Sequence, residues 1–239
     1  KNLCCSGQEK MLHHRSSDNT WIISCSTFCT EEFTKYFGEL YKSFKLFYVP
    51  HSSELDENSY KKQWNELPII LGNFTTKHKG KNIVERLANH RISAKNDFNF
   101  SNINVHPLQK EILSNFNIRK QKRYIDSDIF LQLSVHEGNS YSTLDALVCG
   151  LVVVSTDVGL FYKDVPDDCF VKIPWEKFND VDYIMEKIEY AWKNRDTLSK
   201  NARNWYMSNY RFLKWESEMK KIVNDFYDFY YNHTKDGTR

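Results

Sequence analysis

The chain has 239 residues, 41% of them hydrophobic and 15% aromatic, and its 33 basic and 31 acidic residues leave a formal charge of +2. That length provides interior volume for a buried sheet in one domain or one and a half, and 16 Phe with 14 Tyr argue against disorder. The balanced charge offers no concentrated basic face for nucleic acid, and no apolar run reaches the roughly 18 residues that a membrane span needs.

Residues 1–20 are polar and without period, and read as a lead-in; His13 and His14 there read as solvated surface residues. Trp21 to Cys25 is a short buried strand, and Thr30 to Lys42 a helix whose Glu31 and Glu32 oppose the dipole at its start. Phe44 to Val49 is a second strand, ended by Pro50-His51-Ser52-Ser53. A polar linker, 56–62, leads to an apolar strand, Leu67 to Phe74, that enters a turn at Gly72-Asn73. Lys77-His78-Lys79-Gly80-Lys81 follows, then a helix with Ile83, Val84, Leu87 and Ala88 at helical spacing. Ile103 to Val105 is the next strand, and Pro107 opens a helix through Leu108, Ile112, Leu113 and Phe116.

The most informative stretch comes next. An apolar strand, Ile129 to Leu133, runs into an acidic turn at Glu137-Gly138; a helix follows, then Cys149-Gly150 and a β-branched strand, Val152 to Val154. Strand, helix, strand of this kind gives neighbouring parallel strands with the helix as crossover. The turn then lies at the carboxyl end of a strand and opens a helix, where free N–H groups and the helix dipole favour a phosphate. Beyond it the chain is helical: Lys177 to Lys193 with Val181, Ile184, Ile188 and Trp192, then Arg195 to Asn209. A long aromatic helix, Phe212 to Tyr231, presents Trp215, Met219, Ile222, Val223, Phe226 and Phe229 or Tyr230 along one face. Residues 232–239 read as a frayed tail.

Six cysteines, Cys4, Cys5, Cys25, Cys29, Cys149 and Cys169, are scattered without paired Cys-x2-Cys spacing, which disfavours zinc; Cys149 and Cys169 read as small buried thiols. Reduced, cytosolic surroundings, peripheral to a membrane at most, are expected, since the amino-terminal stretch has no signal-like pattern. The Asn-x-Ser/Thr triplets at Asn73, Asn99 and Asn232 would matter only in a secretory lumen. There is no Walker run, Gly-x-Gly-x2-Gly run, His-Glu-x2-His or internal repeat.

The combination from Ser127-Asp128 through Glu137-Gly138, Asp145 and Cys149-Gly150 to Asp157-Val158-Gly159 resembles the donor-binding motif of retaining GT-B glycosyltransferases of family 4. There a Glu-Gly turn is followed eight residues on by a second acid. The resemblance implies an α/β fold: a Rossmann-like parallel sheet flanked by helices, of the GT-B donor-domain type. It implies that Glu137 lies near the donor sugar and that Asp145, where the family usually has Glu, grips the ribose. Gly72-Asn73 with Lys79-Gly80 resembles the family's second signature, Gly-Arg then Lys-Gly, in which both cations hold the diphosphate. Lys79 matches, while Asn73 brings no charge to the Arg position. Lys77 and Lys81 read as surface lysines. Residues 1–55 resemble a remnant of the family's amino-terminal half, expected to be partial or missing here, or are a lead-in segment; 56–210 resemble its nucleotide-sugar domain, and 211–239 its terminal crossing helix and tail.

The resemblance implies a glycosyltransferase that moves a hexose or deoxyhexose from a nucleoside diphosphate sugar to an acceptor hydroxyl of a glycan or glycoconjugate, with retention. Lys79 and the Gly138, Asn139 and Ser140 N–H groups would face the diphosphate. No metal or cofactor beyond the donor is expected, because fixed cationic and dipolar groups can serve instead. Two other readings stay open: a non-catalytic nucleotide-sugar-binding or assembly domain of a larger polypeptide, and an unrelated Rossmann-like protein. The terminal helix resembles the family's, which crosses back onto the amino-terminal half; a membrane-surface or partner helix is the alternative, and its mixed Glu, Asp and Lys content argues for packing against protein.

Overall fold

The computed structural model describes residues 20–42, 44–58, 60–61, 63–94, 99–102 and 120–235. Its centre is a five-stranded, wholly parallel sheet: β3 (Ile69–Gly72), β4 (Asn99–Asn102), β5 (Ile129–Gln132), β6 (Val152–Thr156) and β7 (Val171–Ile173), in the spatial order β4-β3-β5-β6-β7. β5 and β6 are buried along their whole length, as expected for parallel strands covered on both faces. Successive side chains therefore enter two different cores. Phe130 and Val153 meet Leu144, Leu147 and Tyr206 on one face; Ile129, Leu131, Val152 and Val154 meet Ile83, Leu87, Ile184 and Ile188 on the other.

The covering helices follow from their apolar stripes. Lys81–Ala94 (α2) and Val181–Lys193 (α5) lie on one face; Tyr141–Cys149 (α3) and Arg195–Asn209 (α6) lie on the other. A short helix, Leu160–Lys163 (α4), follows β6. Gly150, at φ 76°, ends α3 in the left-handed conformation that favours glycine, and Ser199 Oγ donates 2.6 Å to its carbonyl. The α/β architecture implied by the sequence is thus the one observed.

A second, two-stranded parallel sheet precedes it: β1 (Trp21–Ser24) pairs with β2 (Lys45–Tyr48) across a helical segment, Thr27–Lys42 (α1), that is interrupted at Gly38. The closing helix, Phe212–Lys235 (α7), returns to this unit, where Phe226 and Phe229 meet Trp21 at centroid distances of 5.2 and 5.7 Å. Asp164 joins the two sheets by accepting from the Thr27 N–H at 3.0 Å and from its hydroxyl.

Several element boundaries differ from the sequence reading. α1 begins at Thr27 rather than Thr30, because Ser26 accepts the Cys29 N–H at 3.1 Å and so caps the helix. α5 begins at Val181 rather than Lys177: Pro174 starts a single 3-10 turn, Trp175–Lys177, and Asp180 then caps the helix through the Tyr183 N–H at 3.1 Å. α7 continues to Lys235 through a stretch that contains no Gly or Pro to break it, so 232–235 are helical rather than a tail. Val223 and Tyr230 on that helix are 57% and 53% exposed, outside the buried stripe expected for them. The expected strand at 103–105, the helix from Pro107, the lead-in with His13 and His14, and Cys4 and Cys5 lie outside the described residues.

Candidate functional site

The strand order reverses between β3 and β5: from β3 the chain goes to one side, to β4, and then returns past β3 to build β5, β6 and β7 on the other. At such a switch point the connections leave the carboxyl ends of the two strands in opposite directions and open a crevice, the usual ligand position in doubly wound sheets. The loop after β3 carries Lys79. The loop after β5 carries Glu137.

These two side chains meet. Lys79 Nζ donates to Glu137 Oε1 across 58 residues of sequence, and the Ser134 hydroxyl donates to the same oxygen at 2.7 Å. Neither is sealed in: the Lys79 side chain is 30% exposed and that of Glu137 11%. Lys79 ends a 3-10 turn, Lys77–Lys79, that Gly80 turns back at φ 79°; a Cβ at Gly80 would stand 2.6 Å from the Leu133 carbonyl oxygen and also collide with the Leu133 side chain. The two loops are tied together by the Val135 N–H, which donates 2.9 Å to the His78 carbonyl. The end of β6 and the loop after it support them, with Thr156 Oγ1, at the end of the strand, donating to Ser134 O at 2.8 Å. In that loop, a Cβ on Gly159 would approach the Gly138 carbonyl to 3.0 Å.

Gly138, Asn139 and Ser140 lead from Glu137 into α3. Ser140 is the N-cap by backbone conformation, but its side chain makes no capping bond, so the helix start keeps its dipole and presents its first N–H groups without a side-chain acceptor from Ser140. Asn139 is buried; its amide donates 3.3 Å to the Cys25 carbonyl, and its Oδ1 is a buried acceptor without a hydrogen-bond partner. The opposite wall is made by the β1–α1 connection and the first turn of α1, whose Cys25 and Cys29 sulfurs stand 3.2 and 3.1 Å from the place of a Gly138 Cβ. His51 stacks on Tyr141 at 4.8 Å, and burial pushes its imidazole below the usual value.

The remaining sequence candidates lie differently. Asp145 is 1% exposed within α3; Ser53 Oγ donates to it at 2.6 Å and Lys120 Nζ is 2.5 Å from its other oxygen. Burial raises its carboxyl above the ordinary range, and the Lys120 charge opposes the shift. Gly72 ends β3 with the Phe74 ring and the Leu131 carbonyl, 2.6 Å away, where a Cβ would be, so its space is filled by the chain itself. Asn73 accepts from the Thr75 hydroxyl at 3.1 Å. Lys77 and Lys81 are exposed, and Lys81 faces Glu85 one turn on at 4.0 Å, as the surface reading expects. Cys149 and Cys169 are buried thiols, both pushed up to about 12 by desolvation.

Sequence reading missed Lys120, Ser53, Ser134 and the Cys25–Cys29 pair. Lys120 falls in a polar stretch with no pattern, and the others are small residues whose role arises only from what the fold sets beside them. Among the described residues no group of three or more His, Cys, Asp or Glu side chains converges as for a metal ion, and no helix is long and apolar enough to cross a membrane.

The parallel sheet, its strand order and the helices on both faces define the class, an α/β protein whose fold matches that of solved GT-B glycosyltransferases. No protein-family model and no curated protein sequence matches the chain. Solved structures do. Sucrose-phosphate synthase from Thermosynechococcus elongatus aligns at TM-score 0.63 and 14% identity, covering 86% of this chain and 58% of that one. A glycosyltransferase from Rickettsia africae aligns at TM-score 0.64 and 13% identity, covering 92% and 67%. Anabaena HepE, solved in complex with UDP, aligns at TM-score 0.61 and 15% identity, covering 89% and 69%. The chain thus spans about six- to seven-tenths of the length of these structures, and at such identities the likeness is one of fold.

Proposed function

We propose that the protein is a glycosyltransferase of the retaining GT-B type, similar to family 4, and that it transfers a hexose or deoxyhexose from a nucleoside diphosphate sugar to a hydroxyl of a glycan or glycoconjugate. The observation that carries this reading is the pairing of Lys79 with Glu137 at the carboxyl ends of β3 and β5. The bond from the sugar's anomeric carbon to the phosphate oxygen breaks, and the leaving diphosphate gains negative charge. Lys79 and the amides at the start of α3 are fixed donors for that charge, needing little reorganisation as it develops. The acceptor oxygen forms the new bond on the same face, and its proton passes to the departing phosphate oxygen. Glu137 orients the sugar hydroxyls and, when donor is absent, keeps Lys79 poised. For Asp145 to hold the ribose, Lys120 turns outward; its side chain is already 26% exposed.

HepE bears UDP in its solved complex, which makes UDP the first ligand to test here. Calorimetric titration of the chain with UDP, GDP, TDP and their sugars should give one saturable site. Removing a hydrogen bond to a charged group costs roughly 1.5–3 kcal/mol, so Lys79→Ala should weaken nucleotide binding about ten- to hundredfold. Glu137→Ala should spare UDP binding and abolish transfer. Undiminished binding and transfer in both variants would overturn the assignment.

A second reading, a nucleotide-sugar-binding domain without turnover, is favoured by Asn73 at the position of a second cation and by the closure of Asp145 by Lys120. Binding without transfer or hydrolysis would select it. The proposed setting is cytoplasmic, at most peripheral to a membrane.

A further inference from the structure

Cys25 and Cys29 are held together by the turn between β1 and α1. Cys25 lies just before the capping Ser26, and Cys29 sits in the first turn of the helix, which brings their sulfurs to 3.8 Å. Both are half-buried and reachable, unlike Cys149 and Cys169. Both also face Gly138, where a single added carbon would meet the two sulfurs at 3.1 and 3.2 Å. The bare backbone of Gly138 is therefore packed directly on a dithiol, and Asn139 is tied to the Cys25 carbonyl. We propose that Cys25 and Cys29 are a reversible modification site, a dithiol that closes to a disulfide by exchange with a small disulfide such as oxidised glutathione, and that closure reshapes the turn at Gly138–Ser140.

The chemistry has an order. Hydrogen bonds from the Cys25 thiol and from Ser26 lower the Cys29 thiol to about 6 against the opposing effect of burial, while the same pairing and burial raise Cys25. Asp164 and Glu32, the nearby carboxylates, disfavour the thiolate without reversing this. Cys29 is then the attacking thiolate. It attacks one sulfur of oxidised glutathione, breaks that disulfide, releases one glutathione thiolate and forms a mixed disulfide. Cys25 loses its proton, attacks the Cys29 sulfur and releases the second glutathione. The two cysteines give up two electrons and two protons, and one small disulfide becomes two thiols. The new bond requires the sulfurs to close from 3.8 Å to about 2 Å. The wall against Gly138 must move with them.

The experiment uses the full chain and no nucleotide or sugar, so its outcome is separate from that of the transfer assay. Trypsin leaves both cysteines on one peptide, residues 16–35, since no Lys or Arg lies between them. After treatment with oxidised glutathione this peptide should be lighter by two hydrogens and should recover its mass in dithiothreitol. Cys25→Ser should trap glutathione on Cys29, whereas Cys29→Ser should carry several-fold less on Cys25. Amide hydrogen exchange at 138–140 should differ between oxidised and reduced wild-type protein. Two independent glutathione adducts in place of a disulfide would overturn the proposal, and so would a disulfide that leaves exchange at 138–140 unaltered; both readings come from the wild-type chain.

Discussion

At Asp145, burial and charge act in opposite directions. Its carboxyl is raised above the ordinary 3.8 mainly by desolvation, with Lys120 and Ser53 working against the rise. An acid raised in the native state binds its proton more tightly there than in the unfolded chain. The resulting stability is complete below 3.8 and is lost as pH climbs through the raised native value. Asn at this position has no proton to lose. Melting temperatures measured upward from about pH 3.5, just below the unperturbed aspartate value, should therefore fall more for wild type than for Asp145→Asn; parallel curves would show that the carboxyl has no such role. Gly80 is the other decisive residue. Its φ of 79° and the Leu133 carbonyl at 2.6 Å leave no room for a side chain. Gly80→Ala should cost at least about 1–3 kcal/mol from backbone strain alone, lowering the melting temperature by about 2–4 °C per kcal/mol in a chain of this size. Exposed Lys77→Ala should change it little, within about 0.5 kcal/mol. The sequence marked Asp145, Lys79 and Glu137 through the family motifs that the segments around them resemble. It was silent on Lys120 because nothing local distinguishes that lysine from its neighbours.

Among the elements, β5 and its approach carry the greatest constraint. Asp128, with no exposure, accepts from the Asn65 N–H at 3.0 Å, the Asn65 side-chain amide at 2.9 Å and the Ile69 N–H at 2.7 Å, and pairs with Lys61 at 3.0 Å. It thus registers β3 beside β5 and neutralises a lysine whose side chain is 4% exposed. Asp128→Ala should leave that ammonium buried and unpaired, a loss of about 3–5 kcal/mol, measurable as a fall in the urea midpoint. A loss below about 1 kcal/mol, the range typical of exposed pairs, would mean that Lys61 escapes to water. Strand interiors were legible because parallel strands are apolar throughout. Helix starts were less so: Ser26 and Asp180, each an eligible cap among several polar residues, were chosen by where the preceding turn delivered them. The edge strand Asn99–Asn102 has a polar sequence, Asn-Phe-Ser-Asn, and gave no apolar signal of its own.

For the whole molecule, beside the Asp164–Thr27 link, α7 is held to the two-stranded sheet by the aromatic cluster around Trp21. Its ring meets Phe47 at 5.0 Å and both α7 phenylalanines, while Lys45 Nζ lies 3.8 Å from its centroid. Trp21→Ala should release α7 from β1 and β2 while the five-stranded sheet keeps its own two cores. Trypsin should then cut within α7, at Lys214 or Lys220, several-fold faster than in wild type, with cleavage after Arg123 unchanged. Equal acceleration at both places would mean that the two sheets unfold as one unit. The amino-acid sequence by itself determined the strand, turn, helix, strand units and the loops that carry Lys79 and Glu137, because apolar periodicity and turn chemistry act over a few neighbouring residues. Only the tertiary structure decided that those loops face each other, that Lys120 closes Asp145 and that two cysteines rest on Gly138. Each of these depends on strand order and on contacts between distant segments, which local preferences along the chain do not encode.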